Sequence, residues 1–197
     1  MRARIRSKWR NKGTPVSIEA NALAVSAAIW RLALTAAKDL HAHDYVYDND
    51  RQRIGVITEY AIFLIHVADR YVFELWDSDQ RARFVSNLAA DITRHVQQNC
   101  AELFGAGDYR EPFTANLNDR AAEYAQTEFE DSGPGYSTYR CIGAHIQEIM
   151  GESQTNRWVL DQIIEIDAPQ TVRLLHKTMQ ALIRSAPIQG TATNPNR

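Results

Sequence analysis

The chain has 197 residues, 45% hydrophobic and 23% charged, with a formal net charge of -2. That composition suits one globular domain able to bury a core, and the near-neutral charge predicts no polyanionic partner for the chain as a whole. Two cysteines without CxxC spacing, Cys100 and Cys141, exclude a zinc knuckle and a redox motif and read as free thiols of a reducing cytoplasm.

The charge is unevenly spread. Arg2, Arg4, Arg6, Lys8, Arg10 and Lys12 fall in the first twelve residues with no acid among them, leaving sixteen Lys and Arg against 24 Asp and Glu in the rest. Residues 1–13 therefore read as a flexible basic arm. Such an arm can touch nucleic acid or an acidic surface, with Trp9 available to stack.

A single helical domain is expected over residues 14–186. Thr14-Pro15 is a helix start, and the first helix should run over about 15–40 with Ile18, Ala22, Val25, Ile29, Leu32 and Ala36 on one face. Its Ala-rich sequence superficially resembles a signal peptide. Arg31 interrupts the apolar run, however, and helical periodicity continues through Lys38 and Leu40, so the chain is expected to be cytoplasmic. No segment reaches the charge-free length of a membrane span. His41 and His43 follow in a loop, where charge against the helix dipole explains them better than metal ligation.

The second helix, about 50–76, is the most apolar of the chain and should be central. Ile54, Ile57, Ala61, Leu64, Ala68, Tyr71 and Leu75 form one stripe at 100° per residue. Glu59, Ile62, His66 and Phe73 lie opposite, with Asp69 nearby. A helix apolar nearly all round is buried on most sides, so Glu59 and His66 need partners. Arg70, four residues from both His66 and Glu74, is one. A second copy of the chain covering the second face would make a homo-oligomer; a well-wrapped bundle explains that face equally.

Asp77-Ser78-Asp79 breaks and restarts the chain. A third helix, about 79–104, buries Val85, Leu88, Ile92, Val96 and Leu103, with Asp91 and His95 paired at its edge. A fourth, about 112–130, carries an acidic stripe of Asp119, Glu123 and Glu130. That stripe reads as a solvated face, with Glu123 a bundle carboxylate if turned inward. EDSGPGYS is the clearest breaker. A fifth helix, about 137–151, follows, with Gly151 as its C-terminal cap. A further helix runs to Ile166, Asp167-Ala168-Pro169 kinks or restarts it, and the last helix ends near 185. Residues 187–197 read as a flexible tail. No run alternates long enough to demand a strand.

Nucleotide-binding loops and a GxSxG elbow are absent. Cys141 and His145, four apart, share a helix face, but adjacency alone does not make a catalytic dyad. The stronger constellation is a pair of His-x-x-acid units, His66 with Asp69 and His145 with Glu148. Glu59 lies along the first face, and Glu123 is a further carboxylate. Imidazoles and carboxylates from facing helices build metal sites in bundles, and this set suits iron, manganese or zinc. The order reverses the Glu-x-x-His of carboxylate-bridged di-iron bundles, so that family is not assigned.

The expected fold is all-α, a bundle of about six helices around a central buried helix. Two functions stand open. The first is a non-enzymatic protein acting through protein contacts or its basic arm. The second is a metal-dependent oxidoreductase or hydrolase using Glu59, His66, Asp69, Glu123, His145 and Glu148.

Overall fold

A computed structural model describes residues 16–151, 153 and 155–183. The basic arm, the Thr14-Pro15 helix start and the tail over 187–197 lie outside the described residues. The fold is an all-α bundle with almost no strand. Its helices are α1 (Ile18–Ala42), α2 (Asp50–Phe73), α3 (Ser78–Phe104), α4 (Arg110–Tyr124), α5 (Tyr136–Met150), α6 (Val159–Gln162) and α7 (Ala168–Ile183).

Local chemistry sets the helix starts. The side chains of Ser17, Asn49 and Asp77 accept from the backbone N–H of Ala20, Gln52 and Gln80, capping α1, α2 and α3. The fifth helix ends at Gly151, whose φ of 72° suits the left-handed C-terminal position.

The central role of α2 follows from its packing against α1, α3, α4, α5 and α7. Val56, Tyr60, Ala61, Phe63, Leu64, Ala68 and Val72 are all wholly buried. Its second face is covered within the chain at Glu59 and Ile62, while Phe73 at its end is exposed. Phe63 meets Tyr124 of α4 and Tyr139 of α5, and Gly55 lies against Ile149 of α5. By length and composition α1 is the one described helix able to cross a membrane, yet 56% of that stretch is buried inside the protein. Ala22, Val25, Ile29, Ala33 and Leu40 supply the face that packs on the core.

Two expectations change. First, α4 ends at Tyr124, short of 130, because the following segment turns into a small antiparallel hairpin. Its strands are β1 (Phe129–Glu130) and β2 (Gly133–Pro134), with Phe129 opposite Pro134 and Glu130 opposite Gly133. Gly133 has φ 122°, open to glycine but costly to other residues. The hairpin is tied at its base: Thr138 Oγ1 donates to the Glu128 carbonyl at 2.6 Å, and Glu128 N–H donates to Ser137 Oγ at 2.9 Å. Second, of the kink or restart expected near Asp167, the chain makes no restart. Residues Ile163–Asp167 form a π-helical segment that joins α6 to α7 directly. Asp167, the last residue of this segment, is buried, and burial pushes its carboxyl above the ordinary range.

Candidate metal centre

The polar stripe of α2 is divided among three sets of partners. Glu59, 2% exposed, accepts from Arg120 Nε at 3.1 Å and Asn116 Nδ2 at 3.1 Å. Both donors come from α4, and i,i+4 spacing puts them on one helix face. Asp69 accepts two bonds from Arg81 at 2.6 Å each, the fork-to-carboxylate geometry of a strong ion pair. Glu59 and Asp69 are thus each committed to an arginine.

His66 has no such partner. Its ring stacks on Tyr124 at 5.1 Å and meets the edge of Phe129 at 5.8 Å, and Nε2 is buried without a hydrogen bond. Burial drives its pKa down to about 4, against the opposing pull of Asp69. Arg70 pairs with neither His66 nor Glu74. Its guanidinium instead lies over the rings of Phe73 and Phe129. Glu148 is exposed.

The other predicted residues come together between α4 and α5. Glu123 Oε2 accepts from His145 Nε2 at 2.6 Å and from the Cys141 thiol at 3.7 Å, and Cys141 Sγ is 3.6 Å from His145 Nε2. All three donor atoms lie within 4.8 Å of one another, the one such group of His, Cys and acidic side chains among the described residues. Arg120 joins this group to the buried pair above, donating Nη1 to Glu123 Oε1 at 3.1 Å while its Nε serves Glu59.

The electrostatics follow from this packing. Desolvation pushes the Glu123 carboxyl up, but hydrogen bonding and charge from His145, then Arg120, bring it below its ordinary value. Burial, followed by the neighbouring Glu123 carboxylate, pushes the Cys141 thiol up to about 11. In the metal-free protein Cys141 is therefore a protonated thiol near neutral pH.

That state is a poor nucleophile. A thiol–imidazole relay also needs the imidazole to accept the thiol proton. Here both the imidazole and the thiol donate to the same Glu123 oxygen. As a ligand set the three atoms are better arranged. Tetrahedral zinc bonds of 2.3 Å to sulfur and 2.0–2.1 Å to nitrogen or oxygen place sulfur about 3.5 Å from each of the others. The two sulfur distances already sit near that value. The Glu123–His145 contact must open by about 0.8 Å, within reach of a side chain as exposed as Glu123 (44%).

Of the residues singled out in the sequence, the structure brings Glu123 and His145 together and leaves Glu59, His66, Asp69 and Glu148 outside this cluster. Cys141 was weighed only as a nucleophile. Its i,i+4 spacing to His145 was the available signal that it is a co-ligand. No protein-family model, curated protein or solved structure matches the chain.

Proposed function

We propose that this chain is a metal-binding helical protein in which Glu123, Cys141 and His145 hold one divalent transition-metal ion between α4 and α5. The supporting observation is the mutual approach of one thiol, one imidazole and one carboxylate oxygen within 4.8 Å. Thiolate with imidazole favours zinc over manganese, which prefers oxygen donors. Three ligands from the described residues would leave a fourth position open. An open fourth position for water is the layout of catalytic zinc sites, whereas structural sites close all four. The reading therefore favours a hydrolytic centre over a purely structural one. Arg120 neutralises buried Glu59 while keeping Glu123 anionic and turned toward Cys141 and His145. The contact-based function expected from the basic arm depends on residues outside those described.

The test is metal content. Protein purified without chelators should carry zinc stoichiometrically, and Cys141→Ser, His145→Ala and Glu123→Gln should each weaken zinc binding at least tenfold. Absence of binding by the intact protein, or binding unaffected by all three substitutions, would contradict the reading.

A further inference from the structure

A second site lies away from the α4–α5 cluster. The end of α2, the β1–β2 hairpin and α7 enclose a cavity of about 320 Å³. Its apolar lining includes Val67, Val172, Leu175 and Met179, all buried, while Phe73 and Leu75 at its edge are 48% and 53% exposed. This volume is near the lower end for small-molecule sites, too small for a dinucleotide.

Arg70 marks the chemistry of the occupant. Three arginines among the described residues are half-buried, namely Arg70, Arg81 and Arg120. Arg81 has Asp69 and Arg120 has Glu59. Arg70 has no carboxylate partner among the described residues, and its Nε is buried without a hydrogen bond. Its guanidinium is held in the cavity wall by the Phe73 ring at 4.8 Å and the Phe129 ring at 5.4 Å. Nε is closed off, but neither terminal nitrogen is among the buried unpaired atoms, and a planar fork fixed by two aromatic faces with its terminal N–H groups open is preorganised for a carboxylate. Glu74, Glu130, Asp131, Arg173 and His176 also line the cavity and are exposed. The three exposed acids oppose polyanions such as nucleotides, while one anionic group is met by half-buried Arg70.

We propose that this cavity binds a small monocarboxylate with an apolar, aromatic-sized body. The carboxylate pairs with Arg70 and the body lies on Val172, Leu175 and Met179. This proposal does not depend on metal at Glu123, Cys141 and His145.

The experiment is a titration of the full chain with phenylacetate, followed by amide NMR and calorimetry, beside 2-phenylethylamine, of similar shape and opposite charge. Expected is saturable phenylacetate binding, with shifts confined to the end of α2, the hairpin and α7. The amine should bind at least tenfold more weakly. Arg70→Gln should lose at least tenfold in phenylacetate affinity, and Arg70→Lys, which keeps the charge but not the fork, should lose several-fold. The lysine variant carries the test if the glutamine variant does not fold. No saturable phenylacetate binding, equal binding of the amine, or unchanged affinity in a folded Arg70 variant would overturn the proposal.

Discussion

Glu123 and His145 are 22 residues apart in sequence, yet Nε2 and Oε2 meet at 2.6 Å. That contact bridges the helices on either side of the hairpin. Cys141, one turn before His145, directs its thiol to the same carboxylate oxygen. The proposed metal centre thus closes over the same segment that walls the cavity beside α7.

Metal binding at this cluster must release a proton. Cys141 is held as a thiol by burial and by Glu123, with its pKa near 11, whereas the metal-bound form is a thiolate. Zinc affinity should therefore rise about tenfold per pH unit between roughly pH 7 and 8.5. Competition titrations across that range check this. The thiol contribution should vanish in Cys141→Ser, and a flat profile in the intact protein would show that no thiolate forms.

The Glu59–Arg120 pair predicts asymmetric damage. Glu59 is almost wholly buried, and Arg120 is 18% exposed at its side chain. Arg120→Ala should leave a buried carboxylate with Asn116 alone and cost about 3–5 kcal/mol of stability. Asn116→Ala, which removes one bond and leaves the ion pair, should cost about 1–2 kcal/mol. Urea unfolding measures both, and equal losses would refute the ranking.

His66 predicts a loss of stability in mild acid. Its folded pKa of about 4 lies below the ordinary 6.5, so the unfolded chain binds the extra proton first. The neutral ring is no burden above about pH 6.5; below it, stability falls until the folded pKa is reached. The loss should be about 2–3 kcal/mol by pH 4. His66→Phe keeps the stacking on Tyr124 and should remove that portion of the acid sensitivity. Denaturant midpoints at pH 7 and 4.5 for both proteins provide the comparison.

Close approach of α5 to α6 and the π-helical segment depends on Gly143. A Cβ there would stand 3.2 Å from Leu160 Cδ1 and 3.3 Å from Ile164 Cγ1. Gly143→Ala should change stability by no more than about 1 kcal/mol, because helix propensity offsets the crowding. Gly143→Val adds bulk without that compensation and should cost about 2 kcal/mol or more. Thermal unfolding of the two variants distinguishes these outcomes.

The central position of α2 was legible because its apolar residues run round nearly the whole helix, a pattern that only burial on several sides satisfies. Glu59 could be read as needing a partner, but Arg120 comes from α4, and helix periodicity carries no information about which helix faces which. Arg70 had two acceptors at the right spacing on its own helix, yet Phe73 and Phe129 take its guanidinium. The hairpin escaped because strands of two residues are too short to alternate. Its ties from Ser137 and Thr138 to Glu128 are tertiary. For the same reason Glu123 was only a conditional ligand: its orientation depends on where α4 ends and how the hairpin returns the chain to α5.

The central claim is that Cys141 is a metal ligand beside Glu123 and His145, and cobalt tests it most directly. Titration of metal-free protein with Co²⁺ should produce a thiolate-to-cobalt charge-transfer band that saturates at one equivalent and is lost in Cys141→Ser. No such band in the intact protein, or an undiminished band in Cys141→Ser, would contradict the account.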